Sequence, residues 1–217
     1  MTRIAIDNQL TTVISLYSVS PDRQSKLVDK LVYYLQTTQQ QHGFVSASIH
    51  KSLDGEKVAN YMQWETQEDY EAFINNAGIQ GQFEKQDLQM FGEIDTHIYE
   101  IFASQSKVDP PEIKEGEYIV HFAEFRMESE NQPRMVELAK EHITPAMELE
   151  GLISANFHRS LDGTRAINYG QWRDPKTIEE LRKKPGFGSE KPYWEGIAEN
   201  EYHLYEVIFV TEISNKM

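Results

Sequence analysis

No cysteine occurs among the 217 residues. That absence removes disulfides, thiolate nucleophiles and cysteine-ligated metals in one step, and it fits a cytoplasmic protein. Basic residues are in the minority: 21 Lys and Arg against 35 Asp and Glu give a formal net charge of -14 and an isoelectric point near 4.9. Phosphate backbones reward a basic face, so the charge argues against a nucleic-acid partner. It also disfavours anionic membrane surfaces. No apolar run approaches the roughly 18 residues a membrane helix needs. The first residues carry Arg3 with no apolar stretch behind it, unlike a secretory signal. What is left is a globular chain with material for two modest cores or one shared core.

What the chain does have is a message stated twice. Gly43 to Trp64 returns as Gly151 to Trp172, with 12 of 22 positions identical at a constant offset of 108. A unit of that length is too large for a solenoid repeat and about the size of a small domain. The chain therefore reads as a first repeat over residues 1–104, a polar linker over 105–116 containing Pro110-Pro111, and a second repeat over 117–217.

Within the first repeat, Thr11–Val19 is β-branched and aromatic and reads as a strand. Ser20-Pro-Asp-Arg-Gln24 follows with the pattern of a capping box. Leu27, Leu31, Tyr34 and Leu35 then mark a helical stripe, and Gly43 ends that segment. Phe44–Lys51 and Lys57–Glu65 form a hairpin around Asp54-Gly55, the dipeptide of a type I′ turn. Thr66 caps a second helix with Tyr70, Phe73 and Ile74 on one side, and Thr96–Phe102 supplies the last strand. The second repeat runs in the same order: strand at 118–127, helix at 133–150, hairpin around Asp162-Gly163, helix near 177–183 and strand at 203–210. This order, βαββαβ, is a ferredoxin-like α+β unit with helices on one face of an antiparallel sheet. The bare face of each sheet would be exposed alone, and two copies in tandem can close an intramolecular α+β barrel.

Alternation along the third strand places Val58, Asn60, Met62 and Trp64 on one face and Ala59, Tyr61 and Gln63 on the other. Asn60 and Trp64 then lie roughly 13 Å apart on one side, a span that suits a planar organic ligand. Asn168 and Trp172 repeat the pair. A carboxamide in mid-strand is a poor β-former and needs partners when buried. Beside an indole it could hold the oxygen of a stacked aromatic ring.

The strand Asn-Tyr-x-Gln-Trp, preceded by His-[Lys/Arg]-Ser-Leu-Asp-Gly, resembles the antibiotic biosynthesis monooxygenase family in both repeats. The resemblance implies a cofactor-independent monooxygenase that oxidises a small aromatic phenol or quinol with dioxygen and uses no metal. It assigns Asn60, Trp64 and Tyr70 as catalytic residues and Asn168, Trp172 and Met62 as substrate contacts. Because the position of Tyr70 is Ile178 in the second repeat, the first repeat is expected to hold the better-equipped pocket. Haem degradation, which other family members perform, is disfavoured. Their helical histidine is replaced by Ile74 and Arg182 here, and neither first strand carries asparagine.

Two histidine pairs sit at matching repeat positions, His50 with His158 and His97 with His203. No His-x-His or HExxH spacing supports a metal site, and all four read as partly exposed residues at strand ends. Tyr61, Tyr169, Gln63 and Gln171 read as packing inside the barrel, and Trp194 as cover for a core edge. The competing functions are a non-catalytic ligand-binding or stress-associated barrel and a purely structural fusion. A polar enclosed pocket at Asn60, Trp64 and Tyr70 favours the monooxygenase or the binding barrel, and one filled by Phe73 or Met62 favours the structural fusion. The internal pseudo-dimer suffices for a barrel, and a further homodimer stays open.

Overall fold

A computed structural model describes residues 2–6, 8–80, 88–108, 110–183, 187 and 191–213. The first repeat contains β2 (Thr11–Ser18), α1 (Gln24–Thr38), β3 (Phe44–Ser52), β4 (Lys57–Trp64), α2 (Gln67–Ile74), the short α3 (Ala77–Gln80) and β5 (Ile94–Ser106). The second contains β7 (Ile119–Arg126), a 3-10 turn (Ser129–Asn131), α4 (Gln132–Met147), β8 (Leu152–Ser160), β9 (Arg165–Trp172), α5 (Pro175–Arg182) and β10 (Glu199–Glu212). Two short strands, β1 (Thr2–Arg3) and β6 (Glu112–Ile113), pair with each other.

Eight antiparallel strands close a barrel in the order β10-β3-β4-β2-β5-β8-β9-β7. The repeats meet edge to edge. The last strand of each pairs with the first hairpin strand of the other, β5 with β8 and β10 with β3. Each seam carries one register shift, between Ile101 and Ala103 and between Val207 and Phe209, the kind of bulge that lets a sheet bend into closure. Closure removes the exposed sheet edges that an isolated repeat would present. Strand alternation divides the core in three. One cluster lies inside the barrel around Tyr61, Phe122, Tyr169 and Tyr205. The other two lie between the sheet and the helices of each repeat.

Several local expectations are corrected. Asp54-Gly55 does not make a type I′ turn: only Gly55 has positive φ, at 86°. Instead Asp54 Oδ1 accepts from Ser52 Oγ at 2.7 Å and from the Glu56 backbone N–H at 3.0 Å, so the side chain closes a four-residue loop. Asp162 does the same with Ser160 and Thr164. Gln24 is not part of a capping box. Its buried amide donates to the carbonyls of Ser52 and Lys57, both at 2.9 Å, and pins the start of α1 to the base of the hairpin. Gln132 repeats this on Ser160 and Arg165. Ile74 turns outward and is 40% exposed, whereas Thr66 does cap α2, accepting from Asp69 N–H at 3.1 Å. Within the 105–116 segment, Gln105 and Ser106 continue β5 and pair with Ala155 and Ser154, and Glu112–Ile113 is tied down by Thr2–Arg3. Among the described residues no helix is long and apolar enough to cross a membrane.

Candidate functional site

β9 pairs with both β7 and β8, so its alternation sets two surfaces at once. Tyr169 and Gln171 point into the barrel. Asn168, Gly170 and Trp172 face the helices, where α4, α5 and the segment around Tyr193 and Trp194 stand off the sheet and leave a cavity of about 200 Å³. Its walls are largely aromatic, from Phe125, Phe157, Trp172, Tyr193, Trp194 and Tyr202, with His121, Asn168 and Arg182 as the polar groups that matter below. Trp194 is therefore a wall of this cavity as well as a cover for Phe125, whose ring it meets edge-on at 5.3 Å.

Three buried polar atoms of its lining residues, Asn168 Oδ1, Trp172 Nε1 and His121 Nδ1, have no hydrogen-bond partner among the described residues. Buried polar groups are nearly always paired, and a lone one costs about 1–3 kcal/mol. All three belong to residues that line one cavity. Burial lowers the His121 pKa to about 4, so the imidazole is neutral at pH 7. His142 spends its Nδ1–H on the Leu138 carbonyl at 2.8 Å and stacks on Tyr193 with ring centroids 4.5 Å apart. Arg182 lies over the Tyr202 ring at 5.1 Å.

The equivalent space in the first repeat is occupied differently. Met62 stands where the second repeat has Gly170, and Val13 pairs with Met62 as His121 pairs with Gly170. A Cβ added to Gly170 would sit 3.0 Å from Trp172 Nε1 and 3.5 Å from His121 Nδ1. Met62 carries its whole side chain in that register and is buried with Trp64. Trp64 packs on Phe73 at 4.9 Å and 31°, on Tyr70 at 5.9 Å and edge-on against Phe44 at 5.5 Å. The structure thus brings Trp64 and Tyr70 together, with Phe73 against the indole, while the cavity enclosed by the described residues lies at Asn168 and Trp172. Asn60 nevertheless resembles its repeat partner, for Asn60 Nδ2 and Oδ1 and Trp64 Nε1 are also buried without a partner among the described residues. Burial raises the Tyr70 phenol above its ordinary range. Sequence reasoning passed over His121 and Gly170, although both stand out once Val13 and Met62 are set beside them at the offset of 108.

The histidine pairs separate. His50 and His158 are not strand-end residues: both are fully buried inside the barrel. His50 Nε2 lies 3.0 Å from Tyr169 Oη, and His158 Nε2 lies 3.1 Å from Tyr61 Oη, so each repeat's histidine meets the other repeat's tyrosine. His97 and His203 do lie near the barrel ends. His97 bridges Asp162 at 2.6 Å and Asp95 at 2.7 Å, and His203 bridges Asp54 at 2.6 Å and Glu201 at 3.2 Å.

Comparison with known proteins agrees with this architecture. Residues 11–84 match the family described as antibiotic biosynthesis monooxygenase. The tetracenomycin-F1 monooxygenase of Streptomyces glaucescens is 35% identical over 85 residues, which is 39% of this chain and 76% of that protein. The crystal structure of an anthrone oxidase-like protein superposes with a TM-score of 0.84 at 19% identity, covering 100% of this chain and 98% of the other. A major regulator of staphylococcal pathogenesis superposes with a TM-score of 0.52 at 11% identity, over 92% and 99% of the two chains. The two structural likenesses speak to the fold, which serves an oxidase-like protein and a regulator alike. With its sequence relative and its doubled Asn-Tyr-x-Gln-Trp strand, the chain belongs to the antibiotic biosynthesis monooxygenase family, as a tandem duplication of the family's unit.

Proposed function

We propose that this chain is a monooxygenase that oxidises a small phenol or quinol with dioxygen, without metal or organic cofactor, in the cavity of the second repeat. The observation that carries this reading is an aromatic-walled cavity lined by Asn168 and by Trp172, whose buried Nε1–H has no partner among the described residues. A cavity of about 150 Å³ accepts benzene, so about 200 Å³ suits one or two rings. The balance needs no outside reductant. A phenol with a free para C–H gives up four electrons to one dioxygen and becomes a quinone; one oxygen atom ends on the ring carbon and the other leaves as water. The ring donates its first electron most readily as the oxyanion. The Asn168 carboxamide can donate an N–H to that oxygen while Trp172 fixes the ring plane, and both act in a largely dry site where such dipoles count for more.

The test is oxygen uptake over a panel of hydroquinones and phenols. On a substrate so found, Asn168→Ala should lower turnover by about 10²–10³-fold, the usual effect of removing one preorganised donor. Uptake unchanged in that variant removes Asn168 from the reaction, and ligand binding without uptake across the panel supports a binding barrel instead. A second reading places the reaction at Asn60, Trp64 and Tyr70, favoured by the unpartnered amide of Asn60. Asn60→Ala distinguishes the two, since only the repeat that turns over substrate loses rate.

A further inference from the structure

Trp172 Nε1 carries a hydrogen and can only donate, whereas the neutral His121 Nδ1, when its ring hydrogen is on Nε2, can only accept. Both are buried, neither has a partner among the described residues, and both lie within 3.5 Å of the point where a Cβ on residue 170 would stand. The group that satisfies both at once is a hydroxyl, which accepts from the indole and donates to the imidazole. An ether accepts but cannot donate, and a carbonyl has the same defect. We propose that His121 and Trp172, whose ring nitrogens converge over Gly170, form a hydroxyl-recognition subsite that selects free phenols over their ethers. The inference rests on the phenol reading of the cavity and adds to it the group that chooses the substrate.

Three features support the assignment. His121 is 9% exposed and lines the cavity. Its low pKa, about 4, keeps the acceptor lone pair free at neutral pH, where an ordinary imidazole would be partly protonated. The first repeat shows the arrangement disabled, with Val13 in place of the acceptor and the Met62 side chain at the position where Trp172 Nε1 closes over Gly170. That repeat also identifies a substitution the strand tolerates, because Val13 occupies the register of His121.

The experiment is calorimetric titration of the full chain with 4-methylphenol, which stays un-ionised at neutral pH, and with its methyl ether, 4-methylanisole. The parent protein should prefer the phenol by about tenfold, the worth of one hydrogen bond that the ether leaves unmade. His121→Val should bring the ratio close to one by weakening only the phenol. His121→Asn, which returns an acceptor near the Nδ1 position, should recover part of the preference. Gly170→Met should abolish binding of both. A ratio that survives His121→Val overturns the proposal. If the parent binds neither ring, or Gly170→Met leaves both affinities unchanged, the reading of the cavity fails and the subsite falls with it. That failure is recognisable because it appears before any change at His121.

Discussion

Mild acid should destabilise the barrel through two histidines that stand apart from the cavity. His50 and His158 are sealed inside it, and burial lowers their pKa values to about 3 and about 4. In the unfolded chain each returns to about 6.5. The unfolded state therefore takes up the proton first as pH falls, so the stability contributed by the neutral rings is complete above pH 6.5 and is lost on the way down to the folded values. Between pH 7 and pH 5 the loss is about 2 kcal/mol for each imidazole, or about 4 kcal/mol for the pair. That is a large part of the roughly 5–15 kcal/mol that holds an ordinary domain folded. His97 works in the opposite sense. Its bond to Asp95 raises its pKa, so its contribution is present at low pH and fades as pH rises through the folded value; it can soften the acid loss only in part. Urea unfolding followed by tryptophan fluorescence at pH 7 and pH 5 measures the difference directly. His158→Gln keeps a polar partner for Tyr61 but removes the titration, and should shrink the pH-dependent loss by about 2 kcal/mol. An equal loss in parent and variant would refute the argument.

Two further outcomes test the architecture. Gln24→Ala strips the carbonyls of Ser52 and Lys57 of their shared donor; it should cost about 1–3 kcal/mol in urea unfolding, and Gln132→Ala a similar amount. Met62→Ala should open the first repeat beside Trp64 at a cost of about 2–5 kcal/mol, and calorimetry should then detect benzene binding there, as it does for other apolar cavities.

The hairpin and the barrel were legible because they depend on period-two alternation and on Asp-Gly turns, both local signals. β2, β3 and β4 follow the sequence reading to within a residue or so. What escaped depends on contacts across the chain. Gln24 resembles a cap residue after Ser20, but it lies four residues on where a capping box needs three, and its amide is used 28 and 33 residues away. His50 and His158 looked exposed because each lies near a strand end, and only closure of the barrel places them against tyrosines of the opposite repeat. The cavity was sought in the first repeat on the strength of Tyr70. Tyr70 and Phe73 instead pack against Trp64, and the open volume lies between the second repeat's sheet and its helices.

The pattern of agreement between the repeats has a physical origin. Among the side chains that point into the barrel, His50 is bonded across it to Tyr169 and His158 to Tyr61, so a change on one side strands a buried partner on the other. The Ser46–Gln63 and Ser154–Gln171 bonds are matched as well, and each glutamine continues to a backbone carbonyl, of Arg3 and of Glu112. All of these inward residues are identical in the two copies. Residues on the helix side pack mainly within their own repeat and carry no such constraint: Val13 faces His121, Met62 faces Gly170, and Tyr70 faces Ile178 across the offset of 108. In a symmetric homodimer both pockets must change together, because one sequence builds both. Fusion into one chain lifts that requirement. One repeat can fill its pocket and contribute packing while the other empties its own and exposes Trp172, Asn168 and His121 to a ligand. The asymmetry between the two pockets is thus a consequence of the duplication, and it arises on the helix face of each sheet, away from the histidines and tyrosines bonded across the barrel.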